Sequence, residues 1–148
     1  LAVMGAEVLL RPTLTGTIDR DVELSIARAT AVTNQCFVFD INGVGDGGNG
    51  RSIICGPEGA VIYEAGSGEE LIPIEINLED VRRNREHGVL RLGQPLKSFR
   101  DRIVDFSIYR PETRPSYLDS LGPLEKPTRT GLKSVEPQTE THPTARGE

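Results

Sequence analysis

The sequence predicts an α/β chain with an extended tail, and three observations carry that reading. Two apolar runs, Glu7 to Arg11 and Cys36 to Ile41, flank a segment whose apolar residues recur at helical spacing. Two β-branched runs, Ser52 to Cys55 and Ala60 to Glu64, flank Gly56-Pro57-Glu58-Gly59, the composition of a hairpin turn. After Arg110 apolar residues thin out and Pro, Thr, Glu and Arg dominate, so one compact unit followed by a tail fits the 148 residues.

Each element follows from its own residues. Leu1 to Ala6 reads as the last turn of a helix ending at Gly5, its beginning lying outside the chain; a truncated chain is the expectation. Glu7-Val8-Leu9-Leu10-Arg11 has the pattern of a strand buried on both faces, which leaves the sheet at Pro12. Thr13 to Thr17 forms a loop. Thr17 or Asp19 then caps a helix from about Arg20 to Asn34, with Asp21 and Glu23 in the first turn, where the helix dipole favours acid. Val22, Ile26, Ala29 and Thr33 recur along it beside Ala27, Ala31 and Val32, and the small residues permit close packing.

Cys36 to Ile41 is the next buried strand. Asn42 to Gly50 is a loop that Gly45, Gly47, Gly48 and Gly50 make mobile or unusual in shape. After the hairpin, Glu70 to Ile76 is a third antiparallel candidate, and Asn77 caps a short charged helix through about Glu86. Phe99, Ile103, Phe106, Ile108 and Tyr109 suit docking on a neighbouring surface. Pro111, Pro115, Pro123, Pro127 and Pro137 break any helix or sheet ladder. Ser134 to Glu148 reads as disordered, with Tyr117, Leu118 and Leu121 as anchors on a partner subunit.

The formal net charge is -5 and no Lys/Arg block stands out. Nucleic acid and anionic membrane therefore lack electrostatic support as partners, and a small organic substrate is the default. With no apolar run of about 18 residues and no leader, a cytoplasmic protein is expected. Cys36 and Cys55 sit in apolar, strand-like stretches and read as buried reduced thiols.

Several of these stretches, taken together, resemble the nitrilase superfamily of carbon-nitrogen hydrolases. Gly5-Ala6-Glu7-Val8-Leu9-Leu10 with Pro12-Thr13 is similar to the family's strand after the nucleophile helix. Ala27-Arg28-Ala29 with Asn34-Gln35-Cys36-Phe37-Val38 resembles its R-A-x-E-N-Q-x-Y/F-V block, and Asn42-Gly43-Val44-Gly45 follows in place. Gly50-Arg51-Ser52-Ile53-Ile54 with Pro57-Glu58-Gly59 resembles G-H-S-x-I-x-x-P-x-G, and Gly68 to Leu71 leads into Ile76 to Arg82. Two departures are Thr33 for the usual Glu and Arg51 for the usual His. The resemblance runs to about Arg85.

That resemblance implies a four-layer αββα sandwich of which this chain is the C-terminal part. Residues 1–93 would belong to the hydrolase domain and residues 94–148 to a partly docked extension, disordered from about residue 134. It implies cleavage of a non-peptide carbon-nitrogen bond, of an amide or N-carbamoyl compound, through a cysteine acyl-enzyme. A thiolate attacks, a carboxylate takes the thiol proton, and an ammonium stabilises the oxyanion. No metal or organic cofactor is implied. The substrate is a small amide or nitrile-type molecule, and the assembly is a homo-oligomer that pairs sandwiches through helices. The Cys, Glu and Lys belong upstream of residue 1, so no catalytic residue is assigned within the chain.

Cys55 imitates a nucleophile at a strand end, but Gly56 to Gly59 turns into another strand instead of starting a helix that would activate the thiol. Cys36 begins a buried strand. His87 and His142 read as solvated side chains, and no spaced His/Cys/Asp set has metal-ligand character. The Gly45 to Gly50 stretch lacks the Lys-Ser/Thr ending of a phosphate cradle. For substrate contact the candidates are Pro12, Thr13 and Leu14, on the loop leaving a central strand, and Asn42. Arg28 is expected to partner a carboxylate. The alternative to an enzyme is a non-catalytic binding or subunit-interaction module.

Overall fold

A computed structural model describes residues 1–102, 110, 112, 116–128 and 131–134, with 125–128 and 131–134 described by backbone alone. The chain divides into two compact units, Leu1–Arg102 and Ile103–Glu148. Phe106, Ile108, Tyr109 and His142, together with residues 135–148, lie outside the described residues, as does Ile103.

The first unit opens with a 3-10 turn over Ala2–Met4, stopped by Gly5 in the left-handed conformation (φ 99°), whose N–H donates to the Ala2 carbonyl. Then come β1 (Val8–Thr13), α1 (Asp19–Asn34), β2 (Phe37–Asn42), the two-residue strands β3 (Val44–Gly45) and β4 (Gly48–Asn49), β5 (Ile53–Cys55) and β6 (Val61–Glu64). One sheet has the order β1-β2-β5-β6. The β1 and β2 strands run parallel, from Val8 opposite Phe37 to Thr13 opposite Asn42, whereas β2-β5 and β5-β6 are antiparallel.

The crossover helix α1 covers one face of this sheet. Leu24, Ala27 and Ala31 pack with Cys36, Val38, Ile53 and Cys55 into the core, and Leu9 leans against it. Ala27 and Ala31 are fully buried, which lets the helix backbone approach the strands. The buried stripe is thus Leu24-Ala27-Ala31, not the expected Val22-Ile26-Ala29-Thr33 row, which faces outward. Side chains alternate across a pleated strand, so Leu10, Phe39 and Ile41 point to the opposite face. That face is open: Leu10 is 72% and Ile41 43% exposed.

Several expectations are corrected. β1 is not buried on both faces, and it continues through Pro12 to Thr13. It is the end strand of this sheet, and a proline without an N–H is tolerated where one edge has no ladder to feed. Neither Thr17 nor Asp19 is the N-cap of α1; Ile18 occupies that position without a side-chain bond. The Thr17 hydroxyl still accepts from the Asp19 N–H at 3.3 Å, and the first-turn acids are Asp19 and Asp21, not Glu23. The glycine-rich loop forms the small β3-β4 hairpin. Glu70 to Ile76 joins no ladder among the described residues, because Pro73 interrupts its donors, although Ile72, Ile74 and Ile76 are alternately half-buried.

The Ser52–Glu64 hairpin forms as expected, with a register irregularity at Ile54/Cys55. The predicted cap also forms: the Asn77 side chain accepts from the Glu79 N–H at 3.1 Å and opens α2 (Leu78–His87). α3 (Pro95–Asp101), which carries Phe99, lies against α1. The second unit holds α4 (Ser116–Ser120), with Tyr117 and Leu118 exposed, and a two-stranded antiparallel sheet of β7 (Glu125–Thr128) and β8 (Gly131–Ser134). Pro127 therefore does not prevent a ladder. Each strand of a two-stranded sheet has an outer edge that needs no donor.

Candidate functional site

The candidate site lies at the carboxyl ends of the parallel strands, where ligands of open α/β sheets commonly sit. Thr13 and Asn42 are register partners there, and the Thr13 hydroxyl stands 3.3 Å from Asn42 Oδ1 and 3.4 Å from Asp40 Oδ1. Asn42 is 5% exposed and ties three segments together. Its Oδ1 accepts from the Thr15 N–H at 2.8 Å, and its Nδ2 donates to Thr15 O, Asn49 Oδ1 and Gly50 O at 2.9, 3.0 and 2.7 Å. The Ser52 hydroxyl accepts from its backbone N–H at 3.0 Å. One amide thus fixes the end of β2, the loop after β1 and the glycine hairpin.

Leu14 sits on that hairpin and is 67% exposed. A Cβ at Gly43 would stand 2.7 Å from its Cδ1, so the glycine gives the leucine its seat. Pro12 is exposed and points to the open sheet face. Thr13 and Asn42 are therefore brought together, Leu14 joins them through the hairpin, and Pro12 stands apart.

Beneath this rim lies a polar knot that the sequence reading missed. The Arg20 side chain, 1% exposed, reaches from the first turn of α1 and donates to Asp40 Oδ1 at 2.7 Å and Glu23 Oε2 at 2.9 Å. Its Nε and Nη2 both point at the Arg51 carbonyl, at 3.2 and 2.8 Å. Asp40 is wholly buried, and its Oδ2 makes no hydrogen bond in the protein, with Arg11 Nη1 3.5 Å away. The Thr15 hydroxyl donates to Glu23 at 2.7 Å and, together with Arg20, holds that carboxyl below its ordinary range. The available signal was Asp40 itself, a charge in an apolar strand, which requires a buried cation.

The two departures from the family pattern acquire contacts. Arg51 adopts a left-handed φ of 58° and donates to Asp21 at 2.5 Å and Glu64 at 3.2 Å, bridging α1 to β6. The bond to Asp21, seconded by Glu64, holds its guanidinium firmly in the charged form. The Thr33 hydroxyl donates to the Ala29 carbonyl of its own helix at 2.8 Å. Arg28 takes the Gly59 carbonyl at 3.3 Å as its partner, not the expected carboxylate.

On the open face, a groove of about 520 Å³ is lined by Phe39, Ile41, Asn42, Ser52, Ile54 and Glu70 among others. Glu70 accepts from the Tyr63 hydroxyl and the Gly66 N–H, both at 2.6 Å, and these bonds, the phenol's first, keep its carboxyl below the usual range. Neither thiol is built for attack. Cys36 and Cys55 are fully buried and burial pushes both pKa values up. Behind Cys55 the Gly59 N–H closes a turn onto the Gly56 carbonyl at 2.8 Å. Among the described residues no group of three or more His, Cys, Asp or Glu side chains is arranged to hold a metal, and no helix is long and apolar enough to cross a membrane.

A parallel pair with a helical crossover, an antiparallel extension of the same sheet and a polar rim at the strand ends define a mixed α/β unit. Residues 1–86 match the model of the carbon-nitrogen hydrolase family, and the chain belongs to that family. It resembles the "Hydrolase in agr operon" of Staphylococcus aureus, at 31% identity over 67 residues, which is 43% of this chain and 26% of that protein. The crystal structure of a carbon-nitrogen hydrolase from Helicobacter pylori G27 superposes with a TM-score of 0.58 at 25% identity, covering 72% of this chain and 41% of that one. The chain thus spans well under half the length of each.

Proposed function

We propose that this chain forms part of a hydrolase that cleaves non-peptide carbon-nitrogen bonds of small amide or N-carbamoyl compounds through a cysteine acyl-enzyme. The family match carries the reading, because it runs through the residues that build the strand-end rim. The nucleophilic Cys, the general-base Glu and the oxyanion-stabilising Lys of this mechanism are assigned to no residue of this chain. The carboxylate accepts the thiol proton as sulfur bonds to the carbonyl carbon, and the amine leaves with a proton. Water then releases the acid and restores the thiol. Thr13, Leu14 and Asn42 form the substrate-facing rim, with Asn42 fixing the loop after β1 through Thr15, and Pro12 flanks it from the open sheet face.

The open face supports a four-layer αββα sandwich, in which a second sheet covers Leu10, Phe39 and Ile41. The outward side of α1, where Ile18, Val22 and Ile26 are exposed, supports a homo-oligomer paired through helices. Residues 1–93 are the hydrolase portion and 94–148 an extension, in a cytoplasmic protein. The test is to express the whole open reading frame and assay amine or ammonia release from short amides, N-carbamoyl amino acids and nitriles. Release with a trapped thioester on a cysteine supports the reading; no release from any of them sinks it.

A second reading, a non-catalytic binding or subunit-interaction module, draws on the burial of both thiols. A cooperative melt of the 148-residue chain as a stable monomer supports that reading, whereas aggregation supports a severed part of a larger sandwich.

A further inference from the structure

The sequence holds two Asn-Gly pairs, Asn42-Gly43 and Asn49-Gly50, and the fold treats them differently. A glycine after an asparagine presents a backbone nitrogen that no side chain shields, and that nitrogen can attack the carboxamide carbon once its N–H is free and the backbone can turn. Asn42 is 5% exposed, and its carboxamide is held by Thr15 on one side and by Asn49 and Gly50 on the other. The Gly43 N–H donates to the Thr13 carbonyl at 3.1 Å. Attack at Asn42 therefore requires the end of β2 to leave the sheet. Asn49 is half-buried on the two-residue strand β4, which pairs only with β3. Its Nδ2 donates to the exposed Thr17 carbonyl at 3.1 Å, and its Oδ1 accepts from Asn42 at 3.0 Å. Gly45, Gly47 and Gly50 hold this loop at positive φ, 82°, 95° and 68°. So short a ladder opens locally at far lower cost than the main sheet, and its opening frees the Gly50 N–H from the Gly43 carbonyl, 2.9 Å away.

We infer that Asn49 is a site of spontaneous deamidation, gated by opening of the β3-β4 hairpin and not by unfolding of the chain. With the hairpin open, the Gly50 nitrogen gives up its proton and bonds to Asn49 Cγ. The Cγ–Nδ2 bond breaks, and ammonia leaves with the proton. Water then opens the cyclic imide at either carbonyl, giving aspartate or isoaspartate, and is the only co-reactant. The aspartate product has lost the donor that held the Thr17 carbonyl and sets a carboxylate against it. The isoaspartate product adds a methylene to the backbone, which shifts the pairing of residue 49 with Val44. Either product loosens the hairpin from the loop after β1, and with it the seat of Leu14 and one partner of Asn42.

The test incubates the purified protein at mildly alkaline pH, folded and in urea, and follows each asparagine by mass spectrometry with fragmentation, which localises conversion to one residue. In urea both Asn42 and Asn49 are expected to convert. In the folded protein Asn49 is expected to convert while Asn42 lags by at least about tenfold. The Asn49 rate is expected to rise in step with amide exchange at Gly50 as urea is raised below the unfolding transition. Equal rates at Asn42 and Asn49 in the folded protein overturn the inference, because conversion then passes through global unfolding. Asn49 left intact over the time in which the urea sample converts fully overturns it as well. Asn49→Asp supplies one product directly and is expected to speed exchange at Gly50 by about fivefold, the equivalent of one lost hydrogen bond; unchanged exchange there overturns the loosening of the hairpin. Neither arm depends on hydrolase activity.

Discussion

Arg20 and Asp40 meet at 2.7 Å with side chains 1% and 0% exposed, directly beneath the rim formed by Thr13 and Asn42. The pair links the first turn of α1 to the centre of β2 and lends its geometry to both strand ends. Removing Asp40 leaves the buried Arg20 guanidinium with only the half-buried Glu23 carboxylate as its counter-charge. Asp40→Asn is therefore expected to lower stability by about 3–5 kcal/mol. Urea denaturation checks it, and a loss below about 1 kcal/mol shows that the pair is hydrated in solution.

Gly48 meets the backbone of Gly43 so closely that a Cβ would lie 2.2 Å from the Gly43 carbonyl oxygen, and backbone has no rotamer with which to move aside. Gly48→Ala is expected to open the β3-β4 hairpin and unseat Leu14, at a cost of about 1–3 kcal/mol. Amide exchange at Gly50, whose N–H donates to the Gly43 carbonyl at 2.9 Å, reports the opening. Unchanged protection there contradicts the prediction.

The Glu70 carboxyl is held below its ordinary value by the Tyr63 hydroxyl and then by the Gly66 N–H, while the same bond raises the Tyr63 phenol. A depressed folded value means that Glu70 adds stability above its unfolded pKa, about 4.3, and loses it as pH falls through the folded value. For the raised phenol, the stabilisation holds below about pH 10 and fades as pH rises through the folded value. Tyr63→Phe is expected to move the Glu70 titration upward in an NMR carboxyl titration. A midpoint that stays put removes the phenol as the cause.

Cys36 and Cys55 are fully buried, and burial raises both thiol pKa values. Iodoacetamide at neutral pH is expected to leave both unmodified in the native protein and to label both after denaturation, as read by mass spectrometry. Rapid native labelling of Cys55, with turnover of an amide-derived reagent, contradicts the reading of Cys55 as a structural thiol.

The bridge from Arg51 to Asp21 and Glu64 is exposed, so the contribution of each ion pair is screened. Arg51→Ala is expected to cost less than about 1 kcal/mol, and less still in added salt. Melts at low and high ionic strength test both parts, and a large, salt-insensitive loss points to the backbone of Arg51 instead.

Local order was legible in the sequence because local physics sets it: the Pro57-to-Gly59 turn between β-branched runs, the Asn77 cap and the stop at Gly5 each depend on a few adjacent residues. The order of strand, helix and strand through Asn42 was legible for the same reason, and with it the resemblance to the carbon-nitrogen hydrolases. Tertiary structure decided the rest. Apolar content alone did not reveal which side of α1 is buried, since Val22 and Leu24 are equally apolar and only the sheet selects Leu24. Pro12 stays within its strand because β1 is an end strand, a property of neighbours. The Arg20-Asp40 knot and the bonds from Arg85 to the Ala6 and Gln35 carbonyls join residues far apart in the chain, whose attraction exists only after the backbone has brought them within hydrogen-bond reach.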